Sequence, residues 1–162
     1  MNFHSHCKDI KRLLSIYKGI YAISRDKETN KDDKLQYKLG MAYGTAGIYN
    51  RLTSYSICFP YEDEFFVHYC ILTPEAADAK KLEKVILADN HMDYVPNPRN
   101  NGRKTEYRIV GKKATLHNSL LRALKNHPKL WSYVIVFGES GWKMLSNTGA
   151  DLVNSGVLSK PA

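Results

Sequence analysis

A phenol at Tyr21, an amine at Lys38, a guanidinium at Arg51 and a carboxylate at Glu83 follow one another along the N-terminal part of this chain. Groups of these four types can together draw a proton from water, hold a phosphodiester and bind one hard metal ion. The first two stand in short glycine-bearing segments, Gly19-Ile20-Tyr21 and Lys38-Leu39-Gly40. No single member is specific. A strand tyrosine is commonly a half-buried aromatic, and the chain has 11 tyrosines. Lys38 alone reads as a solvated lysine in a basic strand, and Arg51 as a surface helical arginine. Lys81-Leu82-Glu83-Lys84 also fits an amphipathic face with pairing one turn apart. The order of the four carries the information.

The elements that must position them follow from spacing. Ile10, Leu13, Leu14 and Tyr17 recur at helical intervals until Lys18-Gly19, which predicts a first helix over about 7–17. Tyr21 to Ile23 reads as a strand, Arg25 to Lys34 as a solvated connection, and Leu35 to Ala42 as a second strand closing a hairpin. After a loop at Gly44 to Gly47, Ile48, Leu52 and Tyr55 predict a helix that carries Arg51. Phe65 to Leu72 reads as a buried third strand. Pro74 and Glu75 open a helix to about Asn90, with Ala79, Leu82, Val85, Ile86 and Leu87 inward and Glu83 at the edge of that stripe. Pro96 to Gly102 reads as a loop, Thr105 to Val110 as a strand, Thr115 to Leu124 as a helix, Trp131 to Phe137 as a strand and the rest from Gly141 as weakly helical. His68 lies in an apolar strand and reads as a packed residue, whereas His91 sits at a helix end where the dipole favours a cation. Gly47-Ile48-Tyr49 repeats the first signature but leads straight into a helix, so it reads as chance.

At 162 residues and 43% hydrophobic content the chain is long enough for a core without disulfides. Its formal charge of +8 is uneven. Arg99, Arg103, Lys104, Arg108, Lys112, Lys113, Arg122, Lys125 and Lys129 are accompanied in their stretch only by Glu106, while 62–93 leans acidic. Such an excess points to a polyanion, bound through phosphate neutralisation and counterion release. Cys7, Cys58 and Cys70 are odd in number and scattered, which suggests neither a disulfide framework nor a zinc knuckle. Asp9, Lys11, Arg12 and Lys18 interrupt any apolar leader, and no run is long enough for a bilayer. The expectation is a soluble intracellular protein, cytoplasmic or nuclear, without a membrane partner.

Gly19-Ile20-Tyr21, a hairpin, Tyr37-Lys38-Leu39-Gly40, then Arg51-Leu52 leading to Tyr55, then Leu82-Glu83 on a helix and Thr105-Glu106-Tyr107 together resemble the GIY-YIG nuclease superfamily. More narrowly, they are similar to its phage and large-virus branch, in which the second signature is written Lys-Ile-Gly and a Thr-Glu-aromatic element follows the glutamate helix. The likeness covers Lys18 to Val110. It implies an α/β (α+β) fold with a small three-stranded antiparallel sheet flanked by helices over 1–111. Residues 112–162 are then a short C-terminal α/β extension, packed on the first part or contacting DNA.

The resemblance also implies roles. Tyr21 activates the attacking water, Lys38 takes the place of the second signature tyrosine, and Arg51 stabilises the pentavalent phosphate. Tyr55 stands where several members carry a histidine. Glu83 holds one Mg2+ (or Mn2+), with Glu106 as a possible assistant. An unperturbed phenol has a pKa of about 10, so a base at Tyr21 needs a nearby cation, for which Lys38 is placed in sequence. Arg103, Lys104, Arg108, Lys112 and Lys113 are the candidates for holding the substrate backbone. The implied activity is a metal-dependent DNA endonuclease, with RNA or branched DNA as alternative substrates. The rival from a different class is a non-catalytic nucleic-acid-binding or protein-interaction module on the same fold. No oligomeric state follows from these residues.

Overall fold

The computed structural model describes residues 11–24, 33–42, 47–58, 65–89, 93–96, 107–138 and 141–147. In chain order its elements are α1 (Lys11–Ile16), β1 (Lys18–Ser24), β2 (Lys34–Ala42), α2 (Gly47–Cys58), β3 (Phe66–Thr73), α3 (Ala76–Leu87), β4 (Asp93–Pro96), β5 (Tyr107–Lys112), α4 (Lys113–Asn126), a 3-10 turn (Pro128–Leu130), β6 (Tyr133–Gly138) and β7 (Gly141–Ser146).

The strands form one sheet in the order β4-β5-β2-β1-β3-β6-β7, with every neighbouring pair antiparallel. The class is therefore mixed helix and strand, as expected, but the three-stranded sheet is only its centre, β2-β1-β3. Two further strands extend each side. On one side the expected loop at Pro96 begins inside β4, whose Asp93–Pro96 backbone pairs with β5. On the other, 141–146 is β7 rather than weak helix. Its residues alternate against β6, Trp142 opposite Phe137 and Met144 opposite Ile135, a period of two that the short polar interruptions hide. Because β6 pairs with β3, the segment after Lys112 completes the central sheet.

Strand alternation divides the core in two. On what we call the near face, Tyr21, Ile23, Ala42, Val67, Cys70, Leu72, Ile135 and Phe137 pack with Leu14 of α1 and with Ile48 and Leu52 of α2. On the far face, Ile20, Ala22, Leu35, Tyr37, Leu39, Tyr69, Ile71 and Val134 pack with Ala79, Leu82 and Ile86 of α3 and with Leu116, Leu120, Ala123 and Leu124 of α4. β1 is buried along almost its whole length because it is sandwiched between β2 and β3 and covered on both faces.

Local chemistry ends and ties these elements. α3 opens with a capping box, in which the Glu75 backbone N–H donates to Asp78 Oδ2 at 3.1 Å and the Glu75 side chain accepts from the backbone of Asp78. At its other end Asp89 accepts from Ser119 Oγ at 2.5 Å and Arg122 Nη2 at 2.8 Å, joining α3 to α4. The Trp131 indole N–H donates to Leu124 O at 2.9 Å, which fixes the turn between α4 and β6. Among the described residues no helix is long and apolar enough to cross a membrane.

Candidate functional site

Two glycines explain how the signature strands fit together. A Cβ built on Gly19 would lie 1.9 Å from the carbonyl oxygen of Ile71, so only glycine lets β1 and β3 pair this closely at that point. A Cβ on Gly40 would lie 2.2 Å from the hydroxyl oxygen of Tyr21 and 2.4 Å from its Cζ. Gly40 is the direct cross-strand partner of Tyr21, and the phenol ring lies over the space that a side chain there would fill. The spacing of the two segments thus has a packing cause: the second glycine makes room for the first tyrosine.

Lys38 is opposite Ile23 and two residues from Gly40, which puts it on the near face with Tyr21, half-buried. α2 crosses the same face. Its Ile48 and Leu52 are buried in the cluster that includes Tyr21, and Arg51 between them is exposed. Tyr55 lies one turn further along α2, with its side chain outside the described residues. Tyr21, Lys38 and the helix of Arg51 therefore share one face, although Tyr21 is only 1% exposed.

Glu83 is not with them. It belongs to α3, whose buried stripe of Ala79, Leu82, Glu83 and Ile86 is on the far face. The three strands between the two positions are central in a seven-stranded sheet, so no side chain of α3 reaches around an edge to Tyr21. Glu83 is 7% exposed, its Oε2 has no hydrogen-bond partner among the described residues, and burial pushes its pKa up to about 7. Metal binding requires an ionised carboxylate and, for Mg2+, space for several waters. Glu83 is buried instead in the stripe with Ala79, Leu82 and Ile86, and among the described residues no group of three or more His, Cys, Asp or Glu is placed to hold a metal. A metal held by Glu83 and shared with Tyr21 and Arg51 does not fit this arrangement.

The substrate candidates divide as well. Arg103, Lys104 and Glu106 lie outside the described residues. Arg108 occupies the β5 position directly across from Lys38, Lys112 the position across from Lys34, and Lys113 opens α4. His91 is likewise outside the described set, and Gly47-Ile48-Tyr49 opens α2.

Polar residues unmarked by the motif occupy the far face. The register of β1 and β3 shifts between Ala22 and Ile23, which leaves His68 as the extra residue of a bulge. There it shares a 2.7 Å hydrogen bond with Ser24 Oγ and meets the Tyr37 ring edge-on at 5.0 Å. The Tyr69 hydroxyl bonds Nδ1 of His117 on α4. His68 was legible as a packed residue. The Tyr69–His117 bond, formed across 48 positions of sequence, had no local signal. Comparison of this chain with family models, with curated proteins and with solved structures found no match.

Proposed function

We propose that this chain is a GIY-YIG-type nuclease domain that acts on the phosphodiester backbone of DNA through its near face. The observation that carries the reading is the seating of the Tyr21 phenol over Gly40, with Lys38 on the same face and the Arg51 helix packed across it. Hydrolysis requires water to attack phosphorus while the bond to the sugar oxygen breaks. A guanidinium grips two phosphoryl oxygens and follows the charge that grows on them, and an ammonium neutralises the same phosphate. Arg51 and Lys38 supply these groups, and Tyr21 orients the attacking water. Mg2+ or Mn2+, which the resemblance calls for, contributes Lewis acidity in such chemistry. Since Glu83 does not fit as its ligand, no step is routed through it.

A second reading, a nucleic-acid-binding module without catalysis, is favoured by the burial of Tyr21 and by the far-face position of Glu83. A plasmid-nicking assay in Mg2+ or Mn2+ separates the two. The nuclease reading expects wild-type protein to nick, Arg51→Ala to lose about 100- to 1000-fold, and Glu83→Gln to keep its activity. Equal nicking by wild type and Arg51→Ala identifies a contaminant and ends the reading. Wild type that shifts labelled DNA with a steep salt dependence and never cuts selects the binding module. Parallel RNA and branched-DNA substrates decide the substrate class.

A further inference from the structure

We propose that the outer edge of β7 is a self-association strand: two copies of this chain pair β7 to β7, antiparallel about a two-fold axis at Met144, and join their sheets into one. This inference is independent of the nucleic-acid reading above.

The two ends of the sheet are built differently. β4 ends it on one side with four residues, opened by the charge of Asp93 and closed by Pro96, which has no N–H to offer a further strand. β7 ends it on the other with six residues and no proline. Its pairing with β6, from Tyr133–Ser146 to Gly138–Gly141, runs without a register shift, so no bulge twists this edge away. Among the described residues no strand lies beyond β7. Alternate backbone N–H and C=O groups of an edge strand point out of the ladder and form a template for another strand. The side chains fit the same use. Trp142 and Met144 on the near face and Leu145 on the far face are all half-buried, which leaves apolar surface on both sides of the strand beside that edge.

Lys143 selects the register. It is the one charged residue of β7 and is exposed. Residues directly opposite each other in an antiparallel pair point to the same face, so a symmetric β7 pair is centred on a residue and not between two. A centre at Lys143 sets two ammonium groups against each other, which is destabilising. A centre at Met144 sets Met144 against its own copy, Trp142 against Ser146 and Lys143 against Leu145, where the lysine stem covers the leucine and the charge still reaches water. A second copy therefore fits this edge with no like charges opposed and with apolar contact on both faces. Such an isologous contact closes at two copies, because each β7 has a single outer edge. A strand pair this short is smaller than a standard interface of about 1,600 Å², so the pair is reversible and concentration-dependent. The axis stands perpendicular to the sheet, so both near faces open to the same side.

The test is sedimentation of the full chain over a concentration series, with cysteine variants to read the register. The pair expects wild type to pass reversibly from monomer to dimer as concentration rises through the micromolar range. It also expects the dimer to tighten as salt screens the +8 carried by each copy. Met144→Glu sets two carboxylates at the axis and loses the dimer, with circular dichroism unchanged. Under mild oxidation Met144→Cys forms an interchain disulfide, because directly opposite Cα atoms lie about 4.5 to 5.5 Å apart. Lys143→Cys forms none, since the same position of the other copy is offset along the strand and about 8 Å away. Wild type, which contains Cys7, Cys58 and Cys70, sets the background for both. Wild type that stays a monomer throughout, as it does if another part of the chain occupies the edge, overturns the pair. So do equal crosslinking at 143 and 144, a dimer that weakens in salt, and a dimer that Met144→Glu leaves intact. Should Met144→Glu fail to fold, the two cysteine variants decide alone.

Discussion

The two faces of the sheet treat polar groups in opposite ways. On the far face they are buried and matched to one another, Ser24 with His68 and Tyr69 with His117, until the end of α3, where Asp89 holds buried Ser119 and exposed Arg122. On the near face Tyr21 is buried, but β2 grades outward from buried Gly40 through half-buried Lys38 to exposed Gln36 and Lys34. Buried polar groups that find partners specify a core. Glu83 belongs with them by position yet is poorly matched by chemistry. It is the group on which the division of the molecule is most easily tested.

The largest effect is expected where the near face is tightest. Gly40→Ala forces its methyl into the Tyr21 ring, with backbone on one side and packed side chains on the other, and should cost about 3 kcal/mol in urea unfolding. Tyr21→Ala leaves a cavity and costs about as much alone. Combined, the two should be far from additive, because each removes the other's clash or void. An additive pair would mean that the ring does not lie over Gly40, and the near-face site would dissolve.

Glu83 comes next, and its sign is distinctive. Its folded pKa of about 7 stands above the ordinary value of 4.5, so between these values the folded chain binds more protons than the unfolded one. Its contribution is most favourable below the unfolded pKa, declines as pH rises from 4.5 to 7, and stays unfavourable above. Glu83→Gln should flatten that decline and stabilise the protein at pH 8 by about 2 kcal/mol, read from urea midpoints at pH 5 and pH 8. A variant that keeps the full decline, or is less stable at pH 8, would put an ionised and partnered Glu83 outside the far-face core.

Much of this was legible in the sequence, and the gaps have causes. The helices at Ile48–Leu52 and Ala79–Leu87 and the strands around Tyr21, Lys38 and Phe66 were marked by strong periodicity and good punctuation. β4 and β7 were missed because each is short and its partner is distant: Asp93–Pro96 ends at a proline, which edge strands tolerate, and Gly141–Ser146 alternates over only six residues. Motif order set Tyr21, Lys38 and Arg51 in sequence, and the sheet register puts Tyr21, Lys38 and the helix that carries Arg51 on one face. It could not say which face α3 covers. Leu82 and Glu83 are both in the buried stripe whichever side of the sheet the helix lies on, so helical spacing is silent on the one fact that separates Glu83 from Tyr21.

A smaller effect probes the far face at its centre. Tyr69→Phe removes the hydroxyl bound to His117 Nδ1 without changing the ring, and leaves a buried imidazole nitrogen short of that partner. A cost of about 1 to 2 kcal/mol is expected, insensitive to salt because the bond lies between a strand and a helix that enclose it. No loss at all would mean that α4 is held to the sheet by apolar contact alone.

The smallest effect marks where the far face stops being interior. Arg122 and Asp89 are paired at 2.8 Å, with side chains 45% and 12% exposed, so solvent and salt weaken the pair. Arg122→Ala should cost about 0.5 kcal/mol in dilute buffer and nearly nothing in 1 M NaCl. Ser119 donates to the same carboxylate oxygen but is buried, so Ser119→Ala should cost about 1 kcal/mol at either salt concentration. Two substitutions that meet at one oxygen would then differ in salt response as well as in size, which assigns the rim to Arg122 and the core to Ser119. If both losses vanish in salt, the Asp89 junction is open to solvent throughout, and the sealed character of the far face ends before α3 does.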